Sequence, residues 1–161
     1  MSIRILTPDT PVPSASQYIM SDALRTAVEV AIALEQPLLL TGEPGTGKTR
    51  LAYKVAADLA GQQSDFNFSD QPLIFNTKTT STARDLFYTY DALAHFQSAN
   101  LEKSKDISTA DFIELQALGK AIAMTNPTGL DRNRFATQLG DQAQSNVVLI
   151  DEIDKAPRDF P

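Results

Sequence analysis

Residues 42–49 read Gly-Glu-Pro-Gly-Thr-Gly-Lys-Thr. This meets the pattern G-x-x-x-x-G-K-[ST] at Gly42, Gly47, Lys48 and Thr49, a spacing suited to wrapping backbone N–H groups around phosphate. Glycine lets the chain take the turns that bring its backbone close to an anion. Glu43, Pro44, Gly45 and Thr46 complete the loop, and Arg50 comes just after it. Lys48 is placed to reach β- and γ-phosphates, and the Thr49 hydroxyl to ligate Mg²⁺. The chemistry implied is binding of a nucleoside triphosphate.

A second centre lies far along the chain. Residues 147–152 read Val-Val-Leu-Ile-Asp-Glu. Four apolar residues suit a strand buried on both faces of a parallel sheet. Open α/β sheets take their ligands beyond such a C-terminal strand end. There Asp151 is the candidate Mg²⁺ ligand. Glu152 is the candidate general base for an attacking water.

Elements must hold these groups in place. Pro37-Leu38-Leu39-Leu40 reads as a short buried strand before the loop. Leu51, Ala52, Val55, Ala56 and Leu59 recur at helical spacing after it, so 37–60 forms a strand, phosphate loop and helix with Gly61 at the C-cap. Pro8, Pro11 and Pro13 make 1–15 an extended arm. Leu24, Ala27, Val28, Ala31 and Leu34 mark a helix over about 21–35. Residues 62–72 read as loop and Leu73–Asn76 as a strand. Thr82-Ala83-Arg84-Asp85 and Ser108-Thr109-Ala110-Asp111 are capping-box patterns. Each predicts the start of a helix: the first carries Leu86, Phe87, Tyr90, Leu93, Ala94 and Phe96, the second Phe112, Leu115, Leu118 and Ile122. The polar stretch 98–108 separates them, and Asn126-Pro127-Thr128-Gly129 ends the second. Polar residues 130–145, with a short helix about Phe135, precede the last strand at 146–150. No internal repeat is legible.

Composition narrows the classes. The chain has 161 residues and 42% apolar content, enough for one domain with a core. A net charge of −6, from 14 basic and 20 acidic residues, weighs against a general nucleic-acid surface. The absence of cysteine excludes disulfides and thiolate metal sites. The single histidine, His95, reads as an ordinary helix-surface residue. No apolar run approaches membrane-span length, and no secretory h-region opens the chain, which points to the cytoplasm.

With both motifs placed, the chain resembles the N-terminal part of an AAA+ ATPase of the MoxR-like group. Residues 37–49 carry this, together with Leu149-Ile150-Asp151-Glu152-Ile153-Asp154-Lys155-Ala156-Pro157. The resemblance implies a P-loop NTPase fold, α/β in three layers with a parallel sheet. It implies ATP and Mg²⁺ as ligands, Lys48 and Glu152 as catalytic residues, and an adenine contact at Tyr18 and Ile19. It further implies a homo-oligomeric ring, partner proteins with von Willebrand A domains, and a helical insertion over 82–145 ahead of the Walker B strand at 146–152. Lys48 and Asp151 lie 103 positions apart, longer than a minimal core. The family's sensor residue, arginine finger and lid come after the Asp-Glu strand and are expected to be missing here, with the sheet incomplete at its C-terminus and the chain alone inactive. Protein remodelling by ATP hydrolysis is the leading reading. A restriction-type GTPase or DNA-associated motor of the same clade, and a silent nucleotide-binding module, stay open.

Overall fold

Ser21 opens the first helix, α1 (Asp22–Ala33), by accepting a hydrogen bond from the Leu24 N–H at 3.3 Å. This supplies a partner to one of the N–H groups that a helix start leaves unpaired. The computed structural model describes residues 15–62, 65–101, 108–129, 135, 139 and 142–160. The expected arm at 1–15 therefore lies outside the described residues save for Ala15, and so does most of the short helix about Phe135. Two compact units divide the chain, one ending at Lys54 and the other starting at Val55.

In the first unit, α1 stops at Ala33 in a two-bond cap. Gln36 N–H donates to Ala31 O at 2.9 Å and Glu35 N–H to Ile32 O at 3.1 Å. This Schellman geometry needs a left-handed residue, normally glycine. Here Glu35 takes it, at φ 53°. Replacing Glu35 by Gly removes the Cβ conflict, so the protein is expected to gain about 0.5–1 kcal/mol in urea unfolding. An unchanged midpoint would contradict this strain.

The expected strand at 37–40 forms no ladder among the described residues. Leu38 and Leu39 are exposed, Leu39 by 71%. An apolar run becomes a strand only when another strand takes its backbone groups, and none of the described residues does. Helix α2 (Lys48–Ala60) comes after the glycine loop and runs across the boundary of the two units. Its stripe of Leu51, Ala52 and Ala56 is buried, the spacing expected of a one-sided helix. Gly61 N–H returns to Ala57 O at 3.1 Å without a left-handed φ.

The second unit is built on a parallel pair. Strand β1 (Leu73–Asn76) covers the residues expected, and Leu73, Ile74, Phe75 and Asn76 face Val148, Leu149, Ile150 and Asp151 on the ladder. Phe68 and Ser145 extend the alignment upstream as an isolated parallel bridge. The second capping-box segment supplies the helix that packs on both strands of the pair: it is α4 (Ala117–Thr125), with Ala117, Ala121 and Ala123 buried. Phe75, Leu86 and Ala117 form the core, joined by Leu73, Leu118, Val148, Ile150 and Phe160. The Phe75 and Phe160 rings stack with centroids 6.1 Å apart.

Both capping boxes exist, yet neither opens the long helix expected. Thr82 and Asp85 close one 3-10 turn at Ala83–Leu86, and Ser108 and Asp111 close another at Thr109–Phe112. The chain then extends into β2 (Tyr88–Tyr90) and β3 (Ile113–Leu115), which pair antiparallel as Tyr88–Leu115, Thr89–Glu114 and Tyr90–Ile113. Aromatic and β-branched residues suit such a half-exposed ladder. Only afterwards do α3 (Ala92–Leu101) and α4 begin. The region read as helical thus contains a small second sheet. Its two halves repeat one local order of turn, strand and helix that letter comparison does not reveal. In the first box the Thr82 N–H bonds Asp85 Oδ2 at 2.8 Å and holds the Asp85 carboxyl below the usual carboxylate range.

His95 is more than a surface residue. Its Nδ1 shares a short hydrogen bond with the Tyr90 hydroxyl, and its ring stacks on Phe112 at 4.7 Å. It thereby ties α3 to the end of β2.

Candidate functional site

Three glycines give the 42–49 loop its path. Gly42, Gly45 and Gly47 have φ of 149°, 80° and 88°, a region that side chains with a Cβ avoid. At Gly47 a second constraint acts: a Cβ there would lie 2.9 Å from Cε2 of Tyr18. The Tyr18 ring therefore rests against the loop, and the Tyr18 backbone is held by its N–H bond to Ala15 O at 3.2 Å. Ile19, named beside it, is 94% exposed.

The lysine is held by the loop itself. Lys48 Nζ donates to Gly42 O at 2.7 Å and to Glu43 O at 2.9 Å. Thr46 Oγ1 donates to Glu43 O at 2.9 Å, so the Glu43 carbonyl accepts twice. Leu51 N–H reaches Gly47 O at 3.1 Å and joins the loop to α2. Thr49 and Arg50 lie in the first turn of that helix, and Pro44 opens the turn at Gly45. A helix start next to inward-curving backbone is suited to an anion.

In the second unit, β4 (Val148–Asp151) ends at the carboxylate pair. Its four residues are each half-buried, where burial on both faces was expected. Asp151 Oδ1 accepts the N–H of Glu152 at 3.0 Å, and Asp151 O accepts that of Thr77 at 3.1 Å. Glu152 is a second non-glycine residue in the left-handed region, at φ 55° and ψ 41°. Strain of this kind gathers where a side chain must be aimed. The turn carries the Glu152 side chain out of the sheet, 53% exposed, where Oε2 meets Lys155 Nζ at 2.6 Å. That hydrogen bond raises the Lys155 ammonium above its usual range, against the opposing effect of desolvation.

Sequence reasoning missed two neighbours of Asp151. Asn76 is its ladder partner, and Thr77 is bonded to its carbonyl. Neither belongs to a motif. The only signal was their place at the end of a parallel strand. Among the described residues no cluster of three or more His, Cys, Asp or Glu could hold a metal. Magnesium does not need one, since it is held through one or two carboxylates, waters and substrate phosphates. The residues here fit that ion. The groups are hard oxygen donors, and the Asp151 carboxylate is oriented by a backbone N–H.

A family model described as novel STAND NTPase 3 matches residues 18–153, a stretch holding both motifs. The ATP-dependent zinc metalloprotease FtsH of Karelsulcia muelleri (strain DMIN) is 32% identical over 119 residues, 70% of this chain and 17% of that protein. No solved structure matches. The MoxR-like group is not among these matches. No helix of the described residues is long and apolar enough to cross a membrane.

Proposed function

This chain belongs to the novel STAND NTPase 3 family and so to the AAA+/P-loop NTPases, and on that premise we propose that it binds ATP and hydrolyses it with magnesium. The observation that carries this reading is the glycine loop, with positive φ at Gly42, Gly45 and Gly47 and with Lys48 gathered onto its carbonyls. Lys48 exchanges these two carbonyls for β- and γ-phosphate oxygens. Thr49 and Asp151 hold magnesium, which when bound neutralises phosphate charge. Glu152 orients the attacking water and accepts its proton at the carboxylate. Tyr18, against Gly47, borders the nucleotide. Ile19 supplies an apolar contact, and Glu43 to Thr46 and Arg50 complete the binding stretch.

Hydrolysis in turn drives remodelling of partner proteins in the cytoplasm, with several copies assembled in a ring. The motif Leu149–Pro157 supports the MoxR-like variant of this role, with von Willebrand A domain proteins as partners. The acidic balance of the chain favours a protein substrate over nucleic acid.

Replacing Lys48 with Ala tests the assignment. Its charge-assisted bonds to phosphate are worth about 1.5–3 kcal/mol, so affinity for a labelled ATP analogue falls roughly tenfold or more. Equal affinity of the variant and the unchanged protein sinks the assignment.

A further inference from the structure

Glu152 stands at the head of a single 3-10 turn, Ile153–Lys155, yet its side chain does not cap that turn. The carboxylate goes to Lys155 instead, Oε2 to Nζ at 2.6 Å. The backbone sets this meeting. Lys155 N–H returns to Glu152 O at 2.9 Å, and in so tight a turn side chains three positions apart eclipse. The turn is fixed at both ends. On one side Asp151 Oδ1 holds the Glu152 N–H at 3.0 Å. On the other, Phe160 packs on the core and stacks against Phe75. Carboxylate and ammonium are thus kept at close range by the path of the chain. Asp154 and Asp151 add their attraction for the ammonium. Both side chains stay half exposed, and an exposed pair of this kind opens at small cost.

We propose that Lys155 is a latch on Glu152: it holds the carboxylate in the empty protein, and the contact must break before that carboxylate can take a proton from water. The proposal rests on the role given to Glu152 under Proposed function. A carboxylate acts as a base only within about 2.6–3.2 Å of the water it deprotonates. Here Oε2 is already spent on an ammonium. On accepting a proton it would also lose the charge that attracts Lys155. The contact therefore works against the reaction, and it slows the reaction by the strength of an exposed pair, roughly two- to fivefold. Binding of nucleotide with magnesium brings the water that competes for this oxygen, and so releases the latch.

The test uses a water-soluble carbodiimide, which couples a carboxylate to an amine in contact with it and takes up the water lost. The protein is treated empty and again with Mg²⁺ and a non-hydrolysable ATP analogue, and peptide mass spectrometry quantifies the amide between Lys155 and Glu152. The empty protein is expected to form the amide, and the bound protein several-fold less of it. Single-turnover hydrolysis at saturating ATP is measured beside it. Lys155→Met is expected to run roughly two- to fivefold faster than the original at the same ATP affinity, and Lys155→Arg at the original rate. Added salt narrows that gap, because it screens an exposed pair. Equal coupling with and without nucleotide overturns the latch, and so does a Lys155→Met rate at or below the original. Where turnover is too slow to read, the coupling decides alone. A protein that forms the amide but binds no nucleotide overturns the proposed function and the latch together. Undiminished hydrolysis by Glu152→Gln overturns the role of Glu152 and the latch with it.

Discussion

Glu152→Gln lowers the rate of ATP hydrolysis by about 10²–10⁴-fold, the usual contribution of a positioned general base, while nucleotide affinity is retained. Glutamine keeps the size of the side chain and can keep the left-handed turn at φ 55°, but its amide accepts no proton from water. The Lys155 contact becomes weaker, yet an exposed pair of this kind contributes little to stability, so the fold is unaffected. Single-turnover hydrolysis of labelled ATP, run beside a binding titration, reads both quantities. Hydrolysis at the original rate would place the base elsewhere. Loss of binding and turnover together would mean that Glu152 shapes the site instead of acting in it.

Gly119→Ala is expected to destabilise the second unit by about 3 kcal/mol, at the upper end of overpacking costs. A Cβ at Gly119 would stand 2.0 Å from Phe87 O and 2.8 Å from Phe87 C. Backbone cannot yield as the tip of a long side chain can, and the same Phe87 carbonyl accepts the Gln116 N–H at 2.9 Å. The whole of α4 must therefore shift, and with it the core contact of Ala117 and Leu86. Alanine ordinarily favours a helix over glycine by about 1 kcal/mol, so the sign of the effect is itself diagnostic. Urea unfolding measures it. A midpoint equal to or above the original would show that α4 does not approach Phe87 this closely.

The path of the 42–49 loop was legible because its residues answer local demands. Positive φ at three positions calls for glycine, and two loop carbonyls turned to one point call for a donor such as the Lys48 ammonium. The carboxylates of Asp151 and Glu152 were legible from the strand-like run before them. The capping boxes at Thr82 and Ser108 were legible too, but only for one turn. The path of the chain beyond each turn depends on whether Tyr88–Tyr90 and Ile113–Leu115 find one another, and helical spacing in one segment carries no information about the other. The run at 37–40 erred by the same cause, as its letters fit a strand but no described segment pairs with it. Glu35 and Gly119 were hidden for a different reason. One takes a conformation its residue type disfavours, and the other is required by a neighbouring backbone rather than by its own φ. Thr77 reads as one more polar residue until its burial is known.

The pairing of β1 with β4 has a consequence for how the protein comes to its native state. Seventy-five positions separate Leu73 from its ladder partner Val148, whereas β2 and β3, α3 and α4 all lie inside that interval. Contacts of short reach form first, and closing a long loop is repaid only when the strands at its ends meet. Asp151 gains its bond from Thr77 at that late step, so the carboxylate end of β4 is assembled after the rest of its unit. Amide exchange should distinguish the two stages: during refolding, protection at Thr77 comes later than protection within α4.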